Sequence, residues 1–184
     1  MSNYDDIKQR VGELGRDPDH CRMLFGMQPI LGETQAEAFE KQHEHNALVP
    51  LEAGLAILSA HLDHDLSQYD LDLPVADSDE PALQRMVSRF RKDDGTSMTL
   101  REAGERHGQS VGLPQFVGTP EMVADEMQQF MIAVGGDGFM LSMIHSPGAL
   151  EEFVDKVVPI LQARGIYRTK YHGHTQREHF LDDQ

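Results

Sequence analysis

Histidine supplies most of the chemical possibilities in this sequence, with ten in 184 residues. His43-Glu44-His45 and His61-Leu62-Asp63-His64 put imidazoles beside carboxylates, the donor types of a zinc site. Positions 61 and 64 share a helix face. No third ligand stands at a fixed spacing, and the His-Glu-x-x-His zinc-protease signature is absent. The imidazoles therefore read as surface groups, and no metal is expected. Gly135-Gly136-Asp137-Gly138 has the composition of a phosphate loop but lacks the Lys-Ser/Thr of a Walker loop. It follows a helical pattern and precedes an apolar one, so it reads as a helix-to-strand turn. Gly118-Thr119-Pro120 opens a helix, whose free N–H groups could attract an anion, although a plain cap explains it equally well. Cys21 has His20 beside it in sequence, but neighbours along a strand point to opposite faces. It reads as a small buried side chain. No Gly-x-Ser-x-Gly nucleophile elbow appears. The residues taken alone hold no self-contained catalytic motif.

The elements that would position these groups can be read from periodicity and caps. Tyr4, Ile7, Val11 and Leu14 fall at helical spacing before Gly15. Met23-Leu24-Phe25 is a short, non-alternating apolar run that suits a strand buried on both faces. Thr34-Gln35-Ala36-Glu37 has the form of a capping box opening a helix to about Ala47. A second helix follows Pro50, with Leu51, Leu55, Leu58 and Leu62 on its stripe. Residues 63–81 are acidic, carry Pro74 and Pro81, and read as a loop with little core to join. Leu83, Met86, Val87 and Phe90 restart a helix that Lys92-Asp93-Asp94-Gly95 ends. Thr99-Leu100-Arg101-Glu102 is another capping box, opening a helix that stops near Gly108. Gln115-Phe116-Val117-Gly118 is a short strand, followed by a helix with Thr119 as N-cap and Pro120 at its first position. Phe139 to Ile144 is a second buried-strand candidate. A last helix after Ser146-Pro147 carries Leu150, Phe153, Val154, Val157, Val158 and Leu161 on one stripe, with Pro159 bending or weakening one turn. Helices alternating with apolar strands indicate an α/β fold with parallel strands.

Composition removes several classes. The net charge of −15 opposes non-specific binding to nucleic acid or an anionic membrane. A single cysteine cannot form an intrachain disulfide. No apolar run approaches a membrane span, and the polar, acidic N-terminus is not a targeting signal. A cytoplasmic location is the expectation.

The spelling of several blocks adds to this. Gly15-Arg16-Asp17-Pro18-Asp19-His20, the strand into Phe25-Gly26, and Gly32-Glu33-Thr34-Gln35-Ala36-Glu37-Ala38 stand in order. Glu52-Ala53-Gly54-Leu55, Leu66-Ser67-Gln68-Tyr69-Asp70-Leu71-Asp72 and the run from Val117 to Asp125 follow. Gly136-Asp137-Gly138-Phe139, the run from Val158 to Gly165 and Tyr167-Arg168-Thr169-Lys170-Tyr171 complete the series. Together they resemble the flavin-dependent luciferase-like monooxygenases, in the subgroup of nitrilotriacetate and dibenzothiophene-sulfone monooxygenases. The resemblance covers nearly all of this chain but only the C-terminal part of a family member.

The resemblance implies a partial (β/α)8, TIM-like barrel: its C-terminal strands and helices, with a helical and acidic-loop insertion. The whole chain, 1–184, would be one domain with the insertion at about 48–98. The match begins before the sixth strand, so the Met23–Phe25 strand would lack its preceding partner and the last strand would lack the first. Sites in such barrels lie at the C-terminal ends of strands. That points to Gly26, Met27, Ser142 and Met143 as flavin-lining positions and to Gln28 and His145 as substrate-lining ones. Ile144 shares the second strand end. The implied chemistry uses reduced FMN, delivered by a separate flavin reductase, and O2 to oxygenate a small organic substrate. The family's flavin-phosphate loop has no counterpart here, so tight FMN binding by this chain alone is not expected. Open strand edges would drive homo-oligomer formation or pairing with a complementary chain. The alternative reading is a non-catalytic partial barrel that pairs with another chain.

Overall fold

The computed structural model describes residues 3–84, 88–92 and 94–181, which divide into two compact units. The first unit comprises Met1–Gln42 and Pro114–Gln184, and the second His43–Leu113.

The first unit opens with α1 (Asn3–Glu13), which stops at Gly15, a residue with φ +74°. Tyr4, Ile7 and Val11 are half-buried, whereas Leu14 remains 79% exposed. Strand β1 (Leu24–Leu31) is longer than its apolar core suggests, because the polar and imino residues Gln28 and Pro29 continue it. Helix α2 (Gln35–Ala47) follows and runs into the second unit. Its capping box is displaced: the Thr34 hydroxyl accepts the Glu37 N–H, but the Glu37 carboxylate accepts the N–H of Glu33. The chain returns through β2 (Gln115–Gly118), α6 (Pro120–Val134) and β3 (Gly138–Leu141). Thr119 caps α6 as the sequence indicates, its hydroxyl accepting from the Met122 N–H. Helix α7 (Gly148–Lys156) and helix α8 (Val158–Ala163) divide the last expected helix where Pro159 cannot donate to the ladder. Leu150 and Val154, placed on its stripe by spacing, are half-exposed, while Phe153, Val157 and Leu161 are buried. A short α9 (Gln176–Leu181) ends the unit.

The sheet is parallel, in the order β2-β1-β3. This corrects the expectation that the strand around Met23–Phe25 sits at an open edge. Eight residues of β1 serve two short strands in turn. Leu24 to Met27 pair with Gly138 to Leu141, and Gln28 to Leu31 pair with Gln115 to Gly118. Strand β3 is also shorter than its apolar run: only Gly138–Leu141 is strand, and Met140 is 62% exposed.

In the second unit, α3 (Leu51–Leu62) packs on α5 (Leu100–Ser110), and the short α4 (Pro81–Gln84) lies between them in sequence. The two helices touch through glycine. A β-carbon on Gly54 would stand 2.2 Å from the Gly104 carbonyl oxygen, and one on Gly108 would stand 2.9 Å from the Gly54 Cα. The Thr99 capping box of α5 is complete, with Glu102 N–H on the Thr99 hydroxyl and Thr99 N–H on the Glu102 carboxylate. The helix runs to Ser110, past the expected stop at Gly108.

The acidic segment 63–80 is not the coreless loop its composition suggests. Leu66 and Val75 are buried in short 3-10 turns and join Leu58, Leu83, Phe90, Leu100 and Ala103 in one cluster. A few well-placed apolar residues anchor a chain that average composition describes as loose. Of the helix expected around Leu83 to Phe90, α4 supplies Leu83, Phe90 lies in a bend, and Met86 and Val87 lie outside the described residues. Asp93 of the expected stop also lies outside them.

Candidate functional site

Strand alternation sorts the candidate residues onto two faces of the sheet. Phe25, Met27, Phe139 and Leu141 face α6 and α7. Phe25, Phe116, Phe130 and Phe139 pack there at ring-centroid distances of 5.5–6.1 Å. Met27, fully buried, joins Val123, Met127, Phe153 and Val157 in this core, and Met143 packs against it. The opposite face carries Leu24, Gly26, Gln28 and Ile30 from β1, and Gly138 and Met140 from β3. At the N-terminal half of that face, Leu24 is 43% exposed and Met140 62%. An apolar sheet face in water is a surface built to be covered.

The positions singled out by resemblance are therefore not one cluster of side chains. Gly26 and Gln28 belong to the opposite face, where Gln28 and Ile30 are themselves buried, and the two thioethers, Met27 and Met143, belong to the helix-packed core. Ser142 follows Met140 by two residues. Backbone pairing does bring the two strands together here, since Ser142 N–H donates to the Met27 carbonyl at 2.9 Å. Because β1 extends to Leu31, Gly26, Met27 and Gln28 lie within the strand and not at its end. Ser142, Met143, Ile144 and His145 do follow directly on β3. His145 is exposed, and its ring lies over Gly148.

Gln28 is 4% exposed and is held by a relay of amides. Gln42 Nε2 donates to Gln115 Oε1 at 2.7 Å, and Gln115 Nε2 donates to Gln28 Oε1 at 2.7 Å. Around the strand ends, Gly32 N–H donates to the Gly118 carbonyl and Lys41 Nζ to that of Leu31. Lys156 bridges Glu33 and Glu152. Its ammonium is held well above the ordinary lysine range by the Glu33 and Glu152 carboxylates.

At the other end of the strands stands a residue that the motif reading passed over. The Asp137 side chain, 7% exposed, accepts from Met23 N–H at 2.7 Å and from the Tyr4 hydroxyl at 3.1 Å. It forms ion pairs with Lys8 at 3.2 Å and Arg22 at 3.4 Å. Asp137 N–H returns a bond to the Met23 carbonyl, and Lys8 also donates to the Pro18 and Cys21 carbonyls. Burial acts to raise the Asp137 pKa, but the Met23 amide and the Lys8 ammonium outweigh it and hold it below the ordinary value. Burial, reinforced by Asp137, pushes the Tyr4 phenol up. The available signal was Tyr4 and Lys8 at i and i+4 on one helix, with an aspartate at a strand start.

The histidines form pairs with neighbours. His61 meets His107, His64 meets Tyr69 and Glu80, and His45 meets the Gln109 carbonyl. Among the described residues no group of three or more His, Cys, Asp or Glu could hold a metal. No helix described is long and apolar enough to cross a membrane.

No family model matches the chain. It is 40% identical to dibenzothiophene-sulfone monooxygenase of Rhodococcus erythropolis over 185 residues, 97% of this chain and 41% of the relative. It is 40% identical to N-acetyl-S-(2-succino)cysteine monooxygenase of Bacillus subtilis, over 96% of this chain and 41% of the relative. It is 33% identical to nitrilotriacetate monooxygenase component A of Aminobacter aminovorans, over 96% and 40%. The chain is related to the luciferase-like monooxygenases over part of their length. It spans about two-fifths of the curated relatives it matches. The crystal structure of long-chain alkane monooxygenase superposes with a TM-score of 0.73 at 35% identity, covering 97% of this chain and 37% of that one. DmoA of Hyphomicrobium sulfonivorans superposes at 0.85 with 24% identity, over 98% and 38%, and speaks for the fold. Helices on one face of a parallel sheet, and a second face uncovered at Leu24 and Met140, are what part of a luciferase-like (β/α)8 barrel presents.

Proposed function

We propose that this chain supplies the C-terminal strands and helices of an FMN-dependent monooxygenase barrel, with the 43–113 unit as its insertion. The observation that carries this is the exposed Leu24 and Met140 face, opposite a helix-packed core, in a chain related to monooxygenases across its length. In a closed barrel that face is the lumen. Reduced FMN, supplied by a separate reductase, would provide the oxygen-activating chemistry. Gly26 and Ser142 would line the flavin from the open face, Met27 and Met143 would support that wall from behind, and Gln28 and His145 would meet a small organic substrate. The name of the nitrilotriacetate relative, a component A, supports a reductase partner.

The free edges of β2 and β3 are matched by the remaining (β/α) units of such a barrel better than by a second copy of these strands. A second copy would bring the same strands again. The test is co-purification of this chain with the N-terminal part of the Rhodococcus dibenzothiophene-sulfone monooxygenase. Light scattering should show a one-to-one complex. Flavin fluorescence should report FMN binding by the complex and no sub-micromolar binding by the chain alone. The complex, given reduced FMN, should consume dibenzothiophene sulfone. Tight FMN binding by the isolated chain, or a chain that self-associates and ignores the complement, would overturn the proposal.

A further inference from the structure

The helix pair of the second unit holds two imidazoles in direct contact. His61 Nδ1 and His107 Nε2 are 2.9 Å apart, and the rings stand edge-on with centroids at 5.0 Å. At this distance one proton lies between the two nitrogens, so one of them must be a bare acceptor. His61, in the last turn of α3, is exposed, while His107, in the last turn of α5, is 6% exposed. Gly112 closes over the far edge of the His107 ring, where a β-carbon would lie 3.0 Å from Cε1 and 3.1 Å from Nδ1. The charged groups acting on His107 are His61 from α3 and Arg89 from the turn that follows α4 in sequence. Burial first, then these two cationic groups, hold the ring below ordinary histidine basicity.

We infer that the His61–His107 contact is an acid-released latch on the α3–α5 helix pair. With both rings neutral, one donates and the other accepts. With one added proton carried by the pair, one ring donates to the other, and the contact persists. A second proton, on His107, leaves two N–H donors facing each other and two positive charges beside Arg89. The contact must then open. An opened His107 binds that proton more readily than the closed one, so the open form gains as pH falls below the ordinary histidine range. The His64–Tyr69–Glu80 contact lies in the same unit, and the variant below separates the two.

Amide hydrogen exchange at about pH 7.5 and about pH 5, corrected for intrinsic rates, is the test. In the native chain, α3 and α5 peptides should exchange roughly tenfold faster at the lower pH, a change large enough to mark local opening. His107→Gln keeps a hydrogen-bonding amide opposite His61 but cannot titrate, so its corrected rates should stay level. Equal acceleration in that variant, or none in the native chain, overturns the latch. Should the variant fail to fold, NMR titration of the native histidine rings decides the matter. The His107 ring should titrate together with the α5 amide signals. A His107 that titrates without any change in α5 overturns it equally.

Discussion

Two parts of the sheet are held by opposite materials. At the N-terminal ends, a nearly buried carboxylate, Asp137, gathers an amide, a phenol, an ammonium and a guanidinium around the starts of β1 and β3. In the middle of β1 and at the start of β2, neutral amides do the holding, through Gln42, Gln115 and Gln28. In (β/α)8 architecture the N-terminal ends of the strands serve stability. Charge fixes strands firmly because its desolvation is repaid only when every partner is in place. Uncharged amides hold side chains without imposing a strong field on a neighbouring ligand.

Breaking the charged end should have the largest effect. Asp137→Ala leaves the Met23 N–H without its acceptor and Lys8 without its carboxylate counter-charge, and should cost about 3 kcal/mol, read as a lowered denaturant midpoint at unchanged slope. A loss within error of zero would show that Lys8 and Arg22 find water instead, and the contrast between the two parts would fall.

Acid should act on the same end. The folded form holds the Asp137 pKa below that of the unfolded chain, about 3.9. The tie's contribution is therefore full above that value and is lost as pH falls through it toward the folded pKa. Denaturant midpoints measured from near neutrality down to about pH 3 should drop more steeply in the native chain than in Asp137→Asn. Parallel curves would remove Asp137 from the acid response.

The amide relay should be gentler. Gln115→Met leaves the buried Gln28 carbonyl without its donor and should cost about 1–2 kcal/mol, seen as a modest shift of the thermal midpoint. A loss as large as that of Asp137→Ala would erase the distinction drawn here. The smallest effect is expected from Thr34→Ala, which removes the α2 cap just beyond β1 and should cost about 0.5–1 kcal/mol, measurable by helical circular dichroism during melting.

Legibility followed locality. Caps and turns chosen by neighbouring residues were visible in the sequence: Thr99 with Glu102, Thr119 with Pro120, and Gly135 with Gly136 at the helix-to-strand turn. Gln28 and Pro29 hid the second half of β1, since strand membership there is decided by β2, which arrives some ninety residues later. Composition concealed the anchoring of the acidic segment, because Leu66 and Val75 owe their burial to α3 and α5, not to their own neighbours. The strand-end candidates were found by resemblance, yet which face each side chain takes depends on where the strand ends. That is why Met27 and Met143 parted from Gly26 and Gln28. Asp137 carried a sequence signal only for a reader already knowing that α1 meets the start of β3.

The main-chain contact between α3 and α5 has a consequence for how this protein can drift. Where side chains space two helices, a larger residue on one can be matched by a smaller one opposite, and lineages wander through such exchanges. At Gly54 the neighbour is a carbonyl oxygen 2.2 Å from where any β-carbon would sit, and a peptide group has no smaller version to offer. No second-site change can rescue a replacement there. In a saturation library, position 54 should reject every residue regardless of chemistry, while Leu48, at 80% exposure, should tolerate nearly all. The helix spacing is inherited through the backbone, and the side chains around it are free to vary only on that condition.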